Sequence, residues 1–365
     1  MRFLAFYGIF LCVLIVISAR ASVLEDSSKA YFYDGARSFL SHQVLGSSCS
    51  HFRSLRNEIP CNPALLSIQD EQEEIQFFED SILGLNLNFG KDYETLYKNR
   101  ELFAEEDKYR LAQSLLSEEK PISFQGSAVL WLRMPYFAVW YQPIRWTYFS
   151  SVRNSSYPDI AVHAMQESQL GTQWGGKVGK GWQFGVQARI VDRKFIHEEF
   201  NLFDAIPNLE NYLQVKSQKL ILVEPGFAYR LSGDEWTDYW QPMLSVNLTQ
   251  IGWSNEKYEF VPLTPVSDLG LSVLPKVSYG ELELGINMRA TSEVKQDRTA
   301  RLGAQYRLGV ASFLAGYDRD QWALGMSSAY KSVSAGIMYQ RRELSDFRGE
   351  KFHEDSASVE FRLML

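Results

Sequence analysis

At 365 residues, 45% hydrophobic and 14% aromatic, the chain can bury a large core, and its net charge of −7 is mild. No basic stripe or cluster occurs in it, which argues against a nucleic-acid partner. After residue 21 no stretch stays apolar for the ~20 residues a spanning helix needs, so a helical membrane bundle is excluded.

The first element is a targeting segment. Arg2 gives the positive start, Phe3 to Ile17 the apolar stretch, and Ala19-Arg20-Ala21 a small-residue cleavage site, so 1–21 reads as a signal peptide that would leave Ser22 as the mature terminus. An exported chain that enters a membrane without helices has one route, the closed barrel, in which every backbone group pairs between strands. Removing the leader leaves Cys49 and Cys61. In an oxidising compartment such a pair is most simply a disulfide; two free buried thiols are the alternative. Asn62 is a good N-cap and Pro63 fits the first helical position, so a short helical turn is expected there.

Leu83, Leu85, Leu87 and Phe89 alternate with small and polar residues and give the first clean strand. From Asp92 to Glu119 the spacing turns helical, and a charged amphipathic pair in a periplasmic or plug position is expected over 92–119. Strands resume near Ile122. The aromatic run Tyr136 to Phe149 belongs at an interface, with Pro135 and Pro143 arguing against a regular central strand. Ile160 to Ala164, Trp182 to Ile190, Val223 to Leu231 (interrupted by Pro225-Gly226) and Leu244 to Leu248 follow. Phe195 to Val215 and Ser254 to Pro265 read as long loops. The last hundred residues alternate throughout: Leu282 to Ala290, Ala300 to Leu308, Phe313 to Tyr317, Trp322 to Tyr330, Val333 to Tyr339 and Ala357 to Leu365, separated by short turns.

A soluble β-sandwich would also alternate. Three features favour lipid: the smaller faces carry Gly, Ser, Gln and Arg, aromatics gather at segment ends, and the pattern runs to the last residue. The expected fold is all-β, a transmembrane antiparallel up-and-down barrel of about 12–14 strands, with an N-terminal hatch-like segment (22–74), the barrel proper (75–365) and a short helical insertion. On that reading Arg189, Glu283, Arg289, Arg301, Arg307, Glu360 and Arg362 face the lumen, either as a polar pathway or as ion pairs that fill it.

Ala36-Arg37-Ser38-Phe39-Leu40, Val44-Leu45-Gly46 and Asn62-Pro63-Ala64-Leu65-Leu66-Ser67 together resemble the start of the outer-membrane barrels related to the long-chain fatty acid and aromatic hydrocarbon transporters, especially the branch associated with conjugal transfer. The resemblance implies that this segment is a hatch in or under the barrel, with Asn62, Pro63 and Ala64 as its motif. It also covers the insertion after the first strand and the passage Ser267 to Ala290. The chain departs in ending on Leu365 rather than an aromatic residue.

No catalytic constellation is evident. His42, His51, His163, His197 and His353 are separated in sequence from any G-x-S-x-G or H-E-x-x-H arrangement, and neither metal-ligand spacing nor a phosphate loop occurs, so no metal, cofactor or enzyme activity is expected. A lipid-hydrolysing barrel would need a serine beside a strand histidine such as His163. The expected location is the outer membrane of a Gram-negative bacterium, with membrane lipids and the barrel assembly machinery as partners. The function expected is a channel or transporter for small, hydrophobic molecules; the alternative is a structural or accessory barrel of an envelope or transfer assembly, touching an envelope protein through 92–119.

Overall fold

The computed structural model describes residues 39–53, 59–69, 79–90, 122–134, 136–153, 159–201, 204, 213–258, 263, 265–291, 300–318, 321–345 and 351–364. The expected signal peptide and the expected helices of 92–119 lie outside the described residues. The N-terminal part comprises helix α1 (Leu40–Leu45), a 3₁₀ turn (Gly46–His51), a second 3₁₀ turn (Pro63–Leu65) and helix α2 (Leu66–Gln69). The strands are β1 (Glu79–Gly90), β2 (Ile122–Met134), β3 (Phe137–Arg153), β4 (Asp159–Lys177), β5 (Trp182–Asn201), β6 (Lys216–Arg230), β7 (Met243–Thr249), β8 (Gly252–Ser254), β9 (Val266–Val273), β10 (Glu281–Thr291), β11 (Ala300–Leu308), β12 (Ala311–Asp318), β13 (Gln321–Tyr330), β14 (Val333–Ser345) and β15 (Lys351–Met364). Helix α3 (Glu235–Trp240) joins β6 to β7 and starts with a capping box between Asp234 and Thr237.

Each strand pairs antiparallel with its neighbours, and the ladder returns on itself. β1 pairs with both β2 and β15, and β5 with both β4 and β6. Of the 15 strands among the described residues, β7 and β8 lie end to end along β6, so the ring has fourteen wall positions. The result is a barrel closed through the β5–β6 and β1–β15 pairings.

The alternation read from sequence sorts the side chains. Across β3, β4, β5, β6 and β8, the outward row Tyr141, Leu170, Ile190, Ile221 and Trp253 is exposed and apolar. The next outward row of the same wall, Ser168, Asp192 and Lys219, is polar. The belt therefore ends between these rows. At its opposite edge Trp182 and Tyr229 pack together at 4.4 Å, with Trp174 also exposed nearby on β4. Inward positions carry buried Gln, Glu, Arg and Gly. Greasy outside and polar inside reverses the order of a water-soluble protein and suits a lipid surround.

Three sequence expectations are corrected. Pro143 does not end a strand, since β3 runs through it. The register of the β3–β4 ladder shifts between Gln142 and Arg145, and the β2–β3 ladder shifts between Ala128 and Leu130. A bulge absorbs the missing donor. Pro225 likewise sits inside β6, where that strand's partner changes from β7 (Gly226 to Arg230) to β8 (Leu220 to Leu222) and no β7–β8 ladder bond falls to it. Finally, Phe195 to Asn201 is strand rather than loop. Its outward positions there are Ile196, Glu198 and Phe200, beyond the polar outward pair Asp192 and Lys194.

The connections differ by rim. One rim holds the turns 178–181, 309–310 and 331–332, the connections 231–242 (with α3) and 274–280, the end of β15 and the start of β1. At the other rim the connections 91–121, 202–215 and 255–265 begin and end. Both ends of the connection 91–121, Gly90 and Ile122, thus meet the rim that also bears 202–215.

Candidate functional site: the hatch and the lumen

The N-terminal segment sits inside the barrel. Asn62 caps the Pro63–Leu65 turn, its Oδ1 accepting from the Ala64 amide at 3.0 Å. Its Nδ2 donates to wall carbonyls at Val246 (3.3 Å) and Phe227 (3.5 Å). In return Asn247 donates to the Cys61 carbonyl (3.1 Å) and Gln173 to that of Pro60 (2.9 Å). The turn can come this close because Gly175, Gly185 and Gly226 form one row across β4, β5 and β6. A Cβ at Gly185 would lie 2.3 Å from the Pro63 carbonyl carbon, and one at Gly226 2.0 Å from the Asn62 oxygen.

The opposite wall repeats the device. Gly316 on β12 would bring a Cβ within 1.8 Å of the Val44 carbonyl oxygen, and Gly285 on β10 would meet the Phe52 ring at 2.7 Å. Leu40, Val44, Leu45 and Phe52 pack with Leu314, Ala323 and Met338 in one buried cluster. Phe39 and Ile59 pack with Val129, Trp131 and Trp140 on the other side. The Cys49–Cys61 disulfide ties the two halves of the hatch.

Polar contacts fix its orientation. Glu360 accepts from the Leu40 amide at the start of α1 (2.7 Å) and from Arg362 (2.6 Å), whose guanidinium lies 5.2 Å from the Phe39 ring centre. Glu283 accepts from the Arg53 amide at 3.2 Å, and the Arg53 guanidinium donates to the Gln241 carbonyl that ends α3. His51 is enclosed against Gly270, with Ser50 on Nε2 at 2.9 Å and Ser245 on Nδ1. Burial pushes the His51 imidazole down to about 4, against the pull of Asp268 and a hydrogen bond with Asn287. This Ser–His contact is buried within the hatch and holds the ring in place.

Above the hatch the lumen face of the tall β3–β6 wall is cross-linked in rows. Glu167 accepts from Arg145 and Arg193, both at 2.7 Å, one on each oxygen. Arg189 grips Glu224 with two bonds of 2.8 and 2.7 Å, and Glu224 also accepts from Gln187 at 2.7 Å. Buried charges persist only when paired this way. Between the rows lie apolar patches: Met165 with Phe195, then Val191 with Leu220 and Leu222, then Trp140 and Trp131 beside the hatch.

The charged residues singled out from sequence all fall at inward positions, and none stands alone. Arg189 pairs with Glu224, Arg289 with Asp268 (2.9 Å), Arg301 with Asp318 (2.7 Å), Arg307 with Glu281, Glu283 with Arg53 and Glu360 with Arg362. These pairs do not converge on one centre; Glu283 and Glu360 serve the hatch, the others the wall. Sequence reasoning missed Arg145, Glu167, Arg193 and Glu224. Glu167 was within reach, because Ala161 to Gly175 keeps one parity throughout; Arg145 was hidden by the bulge at Pro143, which breaks the count.

No family model matches the chain, and no curated protein matches it. Among solved structures, the Ralstonia pickettii toluene transporter TbuX superposes with a TM-score of 0.50 at 9% identity, over 89% of this chain and 97% of that one. The Pseudomonas putida toluene transporter TodX gives 0.46 at 9% identity (88% and 96%), and the monoaromatic hydrocarbon channel CymD 0.45 at 12% (89% and 97%). At such identities the likeness to TbuX shows a shared barrel fold.

Proposed function

We propose that the protein is an outer-membrane channel or transporter for small hydrophobic molecules, with its own N-terminal segment as the plug. The observation that carries this is the hatch itself: a disulfide-tied segment seated across the lumen on glycine rows, inside a closed barrel with an apolar belt. A purely structural barrel gains little from a lumen fitted to a separate segment. The apolar patches on β2 to β6, spaced from the long-loop rim down to Phe39 and Ile59, offer an apolar solute successive contacts. The TbuX likeness supports the same substrate class.

Vesicles with lipopolysaccharide in the outer leaflet, which slows hydrocarbon entry, provide the test. Uptake of labelled toluene should rise severalfold with the protein and stay unchanged for a sugar. Equal toluene entry with and without protein overturns the proposal.

A further inference from the structure

The inner face of the tall wall carries two histidines toward the long-loop rim. His163 on β4 and His197 on β5 are direct partners across the ladder, both at inward positions. Their ring centres lie 4.2 Å apart with planes tilted by 34°. Phe149 of β3, the partner of His163 on its other side, stacks on that ring at 5.8 Å. The next inward pair below, Met165 and Phe195, is buried and apolar. The β5–β6 ladder ends at Phe195 and Lys216, so His197 is held in the sheet by β4 alone. It is half-buried, whereas His163 is buried.

We propose that His163 and His197 together bind one divalent transition-metal ion of the zinc, nickel or copper class. Imidazole is the side-chain ligand such ions share. Opposite positions on antiparallel strands hold their Cβ atoms about 4.5–5.5 Å apart, so the ladder fixes the two rings as a pair. Two imidazoles at about 2.0–2.1 Å from one ion, in adjacent coordination positions, have ring centres about 4.5–5 Å apart. From the observed 4.2 Å this needs a small turn of the side chains and no movement of the backbone. Phe149, Met165 and Phe195 supply an apolar floor and flank, which lowers the local dielectric and strengthens a charged bond. Among the described residues no group of three or more His, Cys, Asp or Glu forms a cage, so water completes the coordination. A bound ion would fasten β4 to β5 beyond the point where β6 stops supporting them. The site is separate from the hatch and does not depend on the transport reading.

The test uses the untagged full-length protein in detergent micelles, with Cu²⁺ and Ni²⁺ alone as probes. One Cu²⁺ per chain is expected, with an electron paramagnetic resonance spectrum split by two imidazole nitrogens. Substituting His163→Phe or His197→Phe, which keeps an aromatic ring in the stack, should weaken binding at least tenfold. His353→Ala, at an exposed position on β15, should change nothing. A wild-type spectrum without the two-nitrogen splitting overturns the proposal, whether or not the variants fold. So does unchanged Cu²⁺ affinity in a folded double variant.

Discussion

Gly316 and Asn62 carry the seating of the hatch from opposite walls. Gly316 lies in an ordinary strand, so valine there suits the wall and obstructs the hatch backbone at Val44 and Leu45. Gly316→Val should leave the barrel folded while weakening hatch docking by about 1–3 kcal/mol, seen as faster protease cleavage within 39–69. Asn62→Ala removes a cap and two wall contacts and should cost docking about 1–2 kcal/mol. Docking should also depend on pH through His51. Its seated pKa, about 4, lies below the ordinary value of 6.5, so a released ring binds a proton more readily. The stabilisation is therefore full above pH 6.5 and lost as pH falls toward 4, by at most about 3 kcal/mol. Protease sensitivity of the hatch should rise over that window, and His51→Asn should flatten the profile. The cap at Asn62 was readable from sequence because it is local chemistry. The glycine seats were not: alternation assigns Gly185 a face but does not say what approaches it.

Strands were the most readable elements, since a period of two survives in any barrel wall with one lipid face and one lumen face. β10, β11 and β13 follow their sequence pattern almost residue for residue. The failures were β3, the upper half of β5 and the break expected at Pro225 within β6. Proline at 143 and the charges after Phe195 look like loop signals; a bulge accommodates the first, and the height of the wall beyond the belt explains the second. The pairing that holds this wall is equally invisible in sequence, because it joins residues by register. Glu224→Ala removes the carboxylate that Arg189 grips with two bonds and leaves a buried charge exposed to its own desolvation cost. The barrel should lose about 3–5 kcal/mol, measured as a lower urea midpoint for unfolding from micelles.

The whole molecule combines a lipid-facing belt with a plugged polar interior. Such a barrel should keep its fold in detergent at room temperature and shift in gel mobility only on boiling. Barrels of this kind keep short turns on the periplasmic side and long loops outside. A cysteine placed within 92–119 should thus react with a membrane-impermeant maleimide on intact cells, because both ends of that connection meet the long-loop rim. The closed barrel was readable from the alternation and from the need to pair every strand; the register that closes the ring and the course of the hatch were not, since both arise from contacts between distant segments. The most direct test is conductance across a planar bilayer, comparing the wild-type protein with Gly316→Val. The wild type should insert and conduct ions poorly, and the variant should conduct at least severalfold more, because the hatch no longer fits. Equal conductance from the two, with both inserted, would contradict a plug held on glycine seats.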